Sequence, residues 1–466
     1  MIHIVVPSTA TLVERSDGIT KYVAFNIHIN GWLHASIRYS LLHKFAETVK
    51  LKFGARFALP EFPPKKLNLG RLEGVALDER RHKIAKYLQM LVQLPEIIRS
   101  SVVERTFLEF QLESYRPASS SVNLEVLSGD GTKHVTRCGV LLSTRDVMKV
   151  LAESMECDFE LLYQYFGLFL VRDRNEEEGT GPFDVLPVRL LRNFESPYVS
   201  LQLANQRAAS RGVVYKLQLR RMVWDPRVQE KLVECPSIRT LLYQQAVAEL
   251  AVGLFTPSND EAALQLENVQ QPYSVDRFLR LCAQQASYGY EDLGEADCEL
   301  PNRNIRATMR MGRRQLLLTC KQSGTEWIFR ATRIRIWRIS QPPTVADPLI
   351  FQFEYLLGKD NFEWVTIHTD QAILISLLLQ SIGADILNEH HEASKEAARQ
   401  ALSEHDVISP LRIPESCEPS TSRSSYTNYV PSKLNAASLS PLPSSLNGVH
   451  GTANSSFALE ITDDDL

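Results

Sequence analysis

Cysteine is scarce in this 466-residue chain: there are seven, an odd number, and no two are spaced Cys-x-x-Cys. Such a set builds neither a disulfide framework nor a zinc knuckle, so the chain reads as cytosolic and reduced. An excess of one charge is also missing. With 51 Lys and Arg against 55 Asp and Glu, the net charge is −4, which excludes the basic field of a general nucleic-acid binder and leaves no nucleic-acid partner expected. Long apolar runs are absent as well. The longest apolar stretch, Ala372–Leu379, falls far short of the about 20 residues that cross a bilayer. Met1–Pro7 has neither the basic start nor the long apolar core of a secretory signal. Any membrane is therefore expected to be met from outside.

Catalytic signatures are lacking too. There is no Gly-x-x-x-x-Gly-Lys loop, Gly-x-Gly-x-x-Gly turn, Gly-x-Ser-x-Gly elbow or calcium loop. His390-His391-Glu392 is half of a zinc helix, but Lys395 stands where the second His belongs. No enzyme, metal site or cofactor is read from these residues.

What is present begins with a hairpin. Val23, Phe25, Ile27 and Ile29 alternate with more polar residues, Asn30-Gly31 supplies a two-residue turn, and Leu33, Ala35, Ile37 and Tyr39 share a face of the return strand. Ser40 is expected to cap a helix carrying Leu41, Leu42, Phe45 and Val49, and Asp78 one from about Glu79 to Gln93. Between them Pro60, Pro63 and Pro64 hold the chain extended before Lys65-Lys66 and an apolar loop, Leu67–Leu77. From Met1 to Tyr115 there are 16 basic and 11 acidic residues, so this unit suits an anionic ligand and the remainder, at −9, does not. Arg38, just before a helix N-terminus, has the fork that fits a phosphate, and Tyr39 can stack on a sugar-like ring.

Further on, Val122, Leu124 and Val126 alternate, a helix begins at Ser143 or Thr144, and Phe169–Val171 and Tyr198–Leu203 read as strands. Helical spacing dominates from about Pro236 to Tyr290, and short strands from Arg306 to Ile367, before a long helix from about Asp370. From Ser409 to Ser456, 19 of 48 residues are Ser or Pro, too little apolar content to offset chain entropy. Phe457–Leu466 then mixes apolar and acidic residues in the manner of a short binding motif.

The order Arg38-Tyr39-Ser40, the Pro-Pro-Lys-Lys stretch and Glu79-Arg80-Arg81 on a helix resembles the phox-homology (PX) domain. The resemblance implies binding of phosphatidylinositol 3-phosphate membranes, with Arg38 on the 3-phosphate, Tyr39 on the inositol, Ser40 beside them, Lys66 toward the 1-phosphate, Arg80 on the 4- and 5-hydroxyls and Leu67–Leu77 dipping into the interface. The roll, helical lobe and strand-rich lobe that follow have the order of a FERM module. With Tyr22–His28, Phe62–Leu67, Gly167–Arg172, Phe353–Leu356, Trp364–Ile367 and Gln371–Ile373, the whole chain resembles the sorting nexin 17 group.

That resemblance implies an α+β multidomain fold. A PX domain (three-stranded antiparallel sheet plus helices) at 1–115 precedes a ubiquitin-like first FERM lobe at 116–206, a helical lobe at 207–297 and a PTB/PH-like β-sandwich with its closing helix at 298–392. A polar helix end and Ser/Pro-rich tail follow at 393–466. It implies an adaptor on early endosome membranes that binds Asn-Pro-x-Tyr or Asn-x-x-Tyr/Phe receptor tails, of integrin and lipoprotein-receptor type, at an edge strand of the third lobe. Trp337, with Ile336 and Ile339 beside it, matches the group's cargo-contacting tryptophan, although a Trp there can equally be core. Relatives carry a valine in the closing helix where this chain has Gly383. Asp463, Asp464, Asp465 and Leu466 correspond to the terminal motif that recruits the Retriever recycling complex. Asn454-Ser455-Ser456-Phe457 has the spacing of a cargo signal, and the tail is expected to occupy its own groove when no receptor is present. The alternatives are a FERM-type membrane–cytoskeleton linker and a lipid-targeted scaffold without cargo recycling.

Overall fold

Apolar alternation around Asn30-Gly31 closes the first hairpin. Strands β2 (Lys21–Ile29) and β3 (Trp32–Arg38) flank a turn in which both residues take positive φ, 52° and 80°. In this computed structural model, which describes residues 3–14, 18–65, 74–115, 117–174, 184–270, 274–340, 348–359, 361–405 and 455–458, β1 (Ile4–Val13) completes an antiparallel sheet of order β1-β2-β3. Pro7 falls where the β1 register slips between Val5 and Ser8, so its missing N–H costs the ladder nothing. Helices α1 (Tyr39–Phe53), α2 (Val75–Leu91), α3 (Pro95–Ile98) and α4 (Ser101–Tyr115) pack around a core that includes Phe25, Ile37, Leu42, Phe45, Ile84 and Phe107. Two cap expectations are corrected. Extended Arg38 is the N-cap of α1, which puts Ser40 inside the first turn. Gly74, at φ 57°, turns the chain into α2 before Asp78 is reached.

The next lobe is a five-stranded sheet of order β5-β4-β8-β6-β7, formed by β4 (Ser121–Leu127), β5 (Lys133–Gly139), β6 (Phe166–Asp173), β7 (Val185–Leu190) and β8 (Tyr215–Arg221). Helices α5 (Thr144–Ser154), α6 (Phe159–Tyr165) and α7 (Pro197–Ala208) accompany it. Ser143 and Asp146 form a reciprocal capping box on α5. The expected strand Tyr198–Leu203 lies instead inside α7. Ser196 caps that helix and Pro197 occupies its first turn, two start signals that outweigh the β-prone residues after them. Position 206, the expected end of this lobe, also falls inside α7, and the central strand β8 comes from beyond it.

Helices α8 (Pro226–Leu232), α9 (Pro236–Ala251), α10 (Asp260–Val269) and α11 (Val275–Gln284) make the helical lobe, with Leu242, Ala246, Phe278 and Leu279 buried. The third lobe carries β9 (Tyr290–Leu300), β10 (Arg303–Gly312), β11 (Gln315–Cys320), β12 (Glu326–Arg330), β13 (Ile334–Ser340), β14 (Ile350–Gly358) and β15 (Asn361–His368). Position 298 lies within β9. Helix α12 (Ala372–His405) follows, and β16 (Ser455–Ala458) joins the sheet at its far edge, giving the order β12-β11-β10-β9-β15-β14-β13-β16. The stretch Ala372–His391 has the length and composition to cross a bilayer, but Ala372, Leu374, Ile375, Leu378 and Ile382 are buried as core of the lobe.

The chain forms two compact units, Met1–Asp385 with Asn454–Leu466, and Ile386–Ala453. Within the first, the N-terminal unit and the lobe after it share packing. Phe194, from the second lobe, stands edge-on to Phe107 at 5.8 Å, and Gln111 accepts from the Ser196 N–H at 2.7 Å. A buried ion network ties the three lobes that follow the N-terminal unit. Arg221 Nη2 lies 2.6 Å from Glu249 Oε2, Arg220 Nη2 lies 2.8 Å from Glu291 Oε2, and the Arg221 guanidinium sits 4.5 Å over the Tyr288 ring.

Candidate functional site

The anion site is assembled by the end of β3 and the start of α2. Arg38, at the last position of β3, is pushed outward by strand alternation and keeps a 40% exposed side chain. Its Nη1 donates to Glu14 Oε2 at 2.5 Å, and its guanidinium lies 5.8 Å from the Tyr22 ring centre. Tyr39 is fixed at both ends: its hydroxyl donates to the Pro63 carbonyl at 2.8 Å, and the Arg80 guanidinium sits 4.7 Å from its ring centre. Burial raises the Tyr39 phenol pKa above its usual value. Arg80 Nη2 is buried with no hydrogen-bond partner among the described residues, a donor available to a ligand oxygen. Arg81, by contrast, is structural, since it donates to the Val6 carbonyl at 2.7 Å and to Asp78 at 3.2 Å.

The structure therefore brings Arg38, Tyr39 and Arg80 together. Ser40 is exposed on the first turn of α1, and Lys66 lies outside the described residues with the loop residues 67–73. Two features were not legible in the sequence. Glu14 is 24 residues from Arg38, with no local pattern linking them. Ile19, 81% exposed in the β1–β2 connection, and Val75, 77% exposed at the start of α2, are large apolar side chains left in solvent.

The second site is the β13 edge. The Arg/apolar alternation of Ile334–Ser340 turns Ile334, Trp337 and Ile339 into the lobe and leaves Arg335, Ile336 and Arg338 more open. Trp337 is only 2% exposed, and its indole N–H donates to Ser376 Oγ of α12 at 2.9 Å. Gly383, also buried, comes seven residues after Ser376 on the same helix, two turns or about 10 Å along the axis. Along the free side of β13 runs β16, antiparallel, pairing Ile336 with Ala458, Trp337 with Phe457, Arg338 with Ser456 and Ile339 with Ser455. The edge thus accepts an extended segment through backbone hydrogen bonds. Asn454 and Asp463–Leu466 lie outside the described residues.

Comparisons with known proteins agree with this architecture. The PX domain matches residues 25–111, the F1 lobe of the sorting nexin 17/27/31 FERM domain matches 122–224, and the Sorting Nexin 17 FERM C-terminal domain matches 289–387. Sorting nexin-17 of Rattus norvegicus is 33% identical over 494 residues, covering 100% of both chains. Sorting nexin-31 of Homo sapiens is 29% identical over 79% of this chain and 83% of that one. Among solved structures, mutant 1 of the Dictyostelium discoideum myosin VII MyTH4-FERM MF2 domain is similar with a TM-score of 0.43, at 14% identity over 75% of this chain and 74% of that one. A PX domain, a FERM module of three lobes and full-length likeness to sorting nexin-17 place the chain in the sorting nexin 17 family of endosomal sorting adaptors.

Proposed function

We propose that this adaptor docks on phosphatidylinositol 3-phosphate through Arg38, Tyr39 and Arg80, and captures Asn-Pro-x-Tyr-type receptor tails along β13. It then passes both to the Retriever complex through Asp463, Asp464, Asp465 and Leu466, so that cargo returns to the plasma membrane. Lipid recognition combines charge-assisted bonds with shallow apolar contact. The unpartnered Arg80 nitrogen and the exposed Ile19 and Val75 support both halves of that scheme. Lys66 and Ser40 remain assigned to the same headgroup by the PX pattern.

One observation carries the cargo reading: the β13 edge is already paired with a segment of this chain, Ser455–Ala458. An edge that pairs one extended segment offers the same N–H and C=O groups to another. In this reading Trp337, Ile336 and Ile339 line the groove, and Gly383 leaves its helical wall without a side chain. The tail holds the groove until a receptor segment displaces it.

Calorimetry of an Asn-Pro-x-Tyr receptor peptide against the full chain and against a chain lacking residues 454–466 tests this. Removing a competing segment in cis, whose effective concentration is on the order of millimolar, is expected to raise peptide affinity about tenfold or more. Equal affinities would show that the tail does not compete. Failure of a panel of such peptides to bind either protein would leave a lipid-targeted scaffold.

A further inference from the structure

Arg338 differs from the other cation on β13. Arg335 is neutralised, its Nε donating to Glu354 Oε2 at 2.6 Å while its guanidinium stacks 4.4 Å from the Phe362 ring centre. Arg338 has no carboxylate partner among the described residues. Its Nε donates to Gln352 Oε1 at 2.8 Å, and Gln352 in turn donates to Thr366 Oγ1 at 3.1 Å. These three residues form one cross-strand row, because Arg338 pairs with Gln352 and Gln352 with Thr366. The guanidinium also rests 4.5 Å from the ring centre of Trp364, a side chain 37% exposed. A half-buried guanidinium is thus oriented through one nitrogen and one ring face, and its Nη groups have no hydrogen-bond partner among the described residues.

The row continues across the edge. The next residue in it, beyond Arg338, is the one contributed by whatever segment pairs with β13, and in the present pairing that is position 456. Directly opposed residues of an antiparallel pair have Cβ atoms about 4.5–5.5 Å apart, within reach of a guanidinium fork. The position paired with Trp337 follows it by one residue. It falls on the opposite face by strand alternation, so the two are read separately.

We infer that Arg338 is a specificity determinant of the edge groove: it selects an anionic side chain, carboxylate or phosphate, at the peptide residue immediately before the one that pairs with Trp337. This rests on the edge-strand reading of the groove. A carboxylate or a phosphoserine there forms a charge-assisted bond with the oriented Nη groups, whereas a lysine meets a like charge at a cross-strand position. In this chain's own tail the position is Ser456, so phosphorylation of Ser456 would tighten the tail on β13 by the same contact.

Peptides spanning residues 452–461 of this chain, with Asp, phosphoserine, Ala or Lys at position 456, are titrated into the full-length protein and its Arg338→Gln variant. Competition from the tail in cis scales every apparent affinity by the same factor, so the ratios are preserved. The wild type is expected to bind the Asp and phosphoserine peptides about tenfold tighter than the Lys peptide, with the Ala peptide between them. Arg338→Gln should shrink that spread to about twofold or less while leaving the Ala peptide's affinity and the melting temperature unchanged. Selection of phosphoserine without Asp would narrow the ligand to a phosphorylated tail. Binding of all four peptides with equal affinity to the wild type would overturn the role of Arg338 and spare the groove. Binding of none would overturn the groove itself and this inference with it.

Discussion

At Arg38 the guanidinium is already paired with Glu14, and under the proposed lipid reading a headgroup phosphate would need the same fork. Both side chains are partly exposed, at 40% and 31%, so solvent screening keeps the pair weak, on the order of 0.2–1 kcal/mol. Replacing Glu14 by Gln should therefore raise affinity for phosphatidylinositol 3-phosphate vesicles about two- to fivefold in a co-sedimentation assay. A loss of binding would mean that Glu14 positions Arg38 for the lipid rather than guarding it. Arg38 and Tyr39 were legible as candidates for a phosphate from the PX-like order of motifs around them. Glu14 was not, since nothing in a linear pattern marks an acid that folds back from a neighbouring hairpin. Trp337 shows the same limit: alternation placed it on β13, but only the packing of α12 set its indole on Ser376.

Where elements meet, strand β3 lies against α4 and buries His34. Burial, opposed by acceptance of its Nε2–H by the Phe107 carbonyl and reinforced by Arg189, lowers the imidazole to about 3 from its usual 6.5. The unfolded chain takes up a proton below about pH 6.5 and the folded chain does not until about pH 3, so stability declines as pH falls between these values. The loss from this residue is about 2 kcal/mol between pH 6.5 and 5. His28, lowered to about 4 mainly by burial and then by Arg207, acts with the same sign. Urea unfolding of wild type and His34→Leu at the two pH values isolates the His34 share: the variant should lose about 2 kcal/mol less on acidification, whatever its stability at pH 6.5. Identical losses would show that His34 is protonated in the folded state. Sequence periodicity found β2, β3, α5 and most strands of the third lobe, because each buries one face at a regular spacing. It missed β1, whose Pro7 breaks the pattern, and misread α7, where Ser196 and Pro197 decide the element before propensity does.

Across the whole molecule, the three FERM lobes meet at charges. Arg220 and Arg221, successive on β8, reach Glu291 of the third lobe and Glu249 of the helical lobe, all nearly excluded from water. Cutting one partner strands the other charge in a low-dielectric interior, so Arg221→Met should cost about 3–5 kcal/mol and lower the melting temperature of the whole FERM module together. A separate early transition of one lobe would instead mean that the lobes unfold independently. By itself the sequence determined the order of domains, the Arg38-Tyr39 pair ahead of a helix, the two-sided β13 strand and the sorting nexin 17 likeness. Those features are local spacings and contiguous motifs, carried by residues close together in the chain. The tertiary structure alone decided that Glu14 closes on Arg38, that Arg80 stacks on Tyr39, that Arg338 is set on Gln352 and Trp364 beside the β13 edge, and that residues 455–458 lie on β13. Each joins residues separated by tens to more than a hundred positions, and only the closure of long loops around shared cores brings such groups within bonding distance.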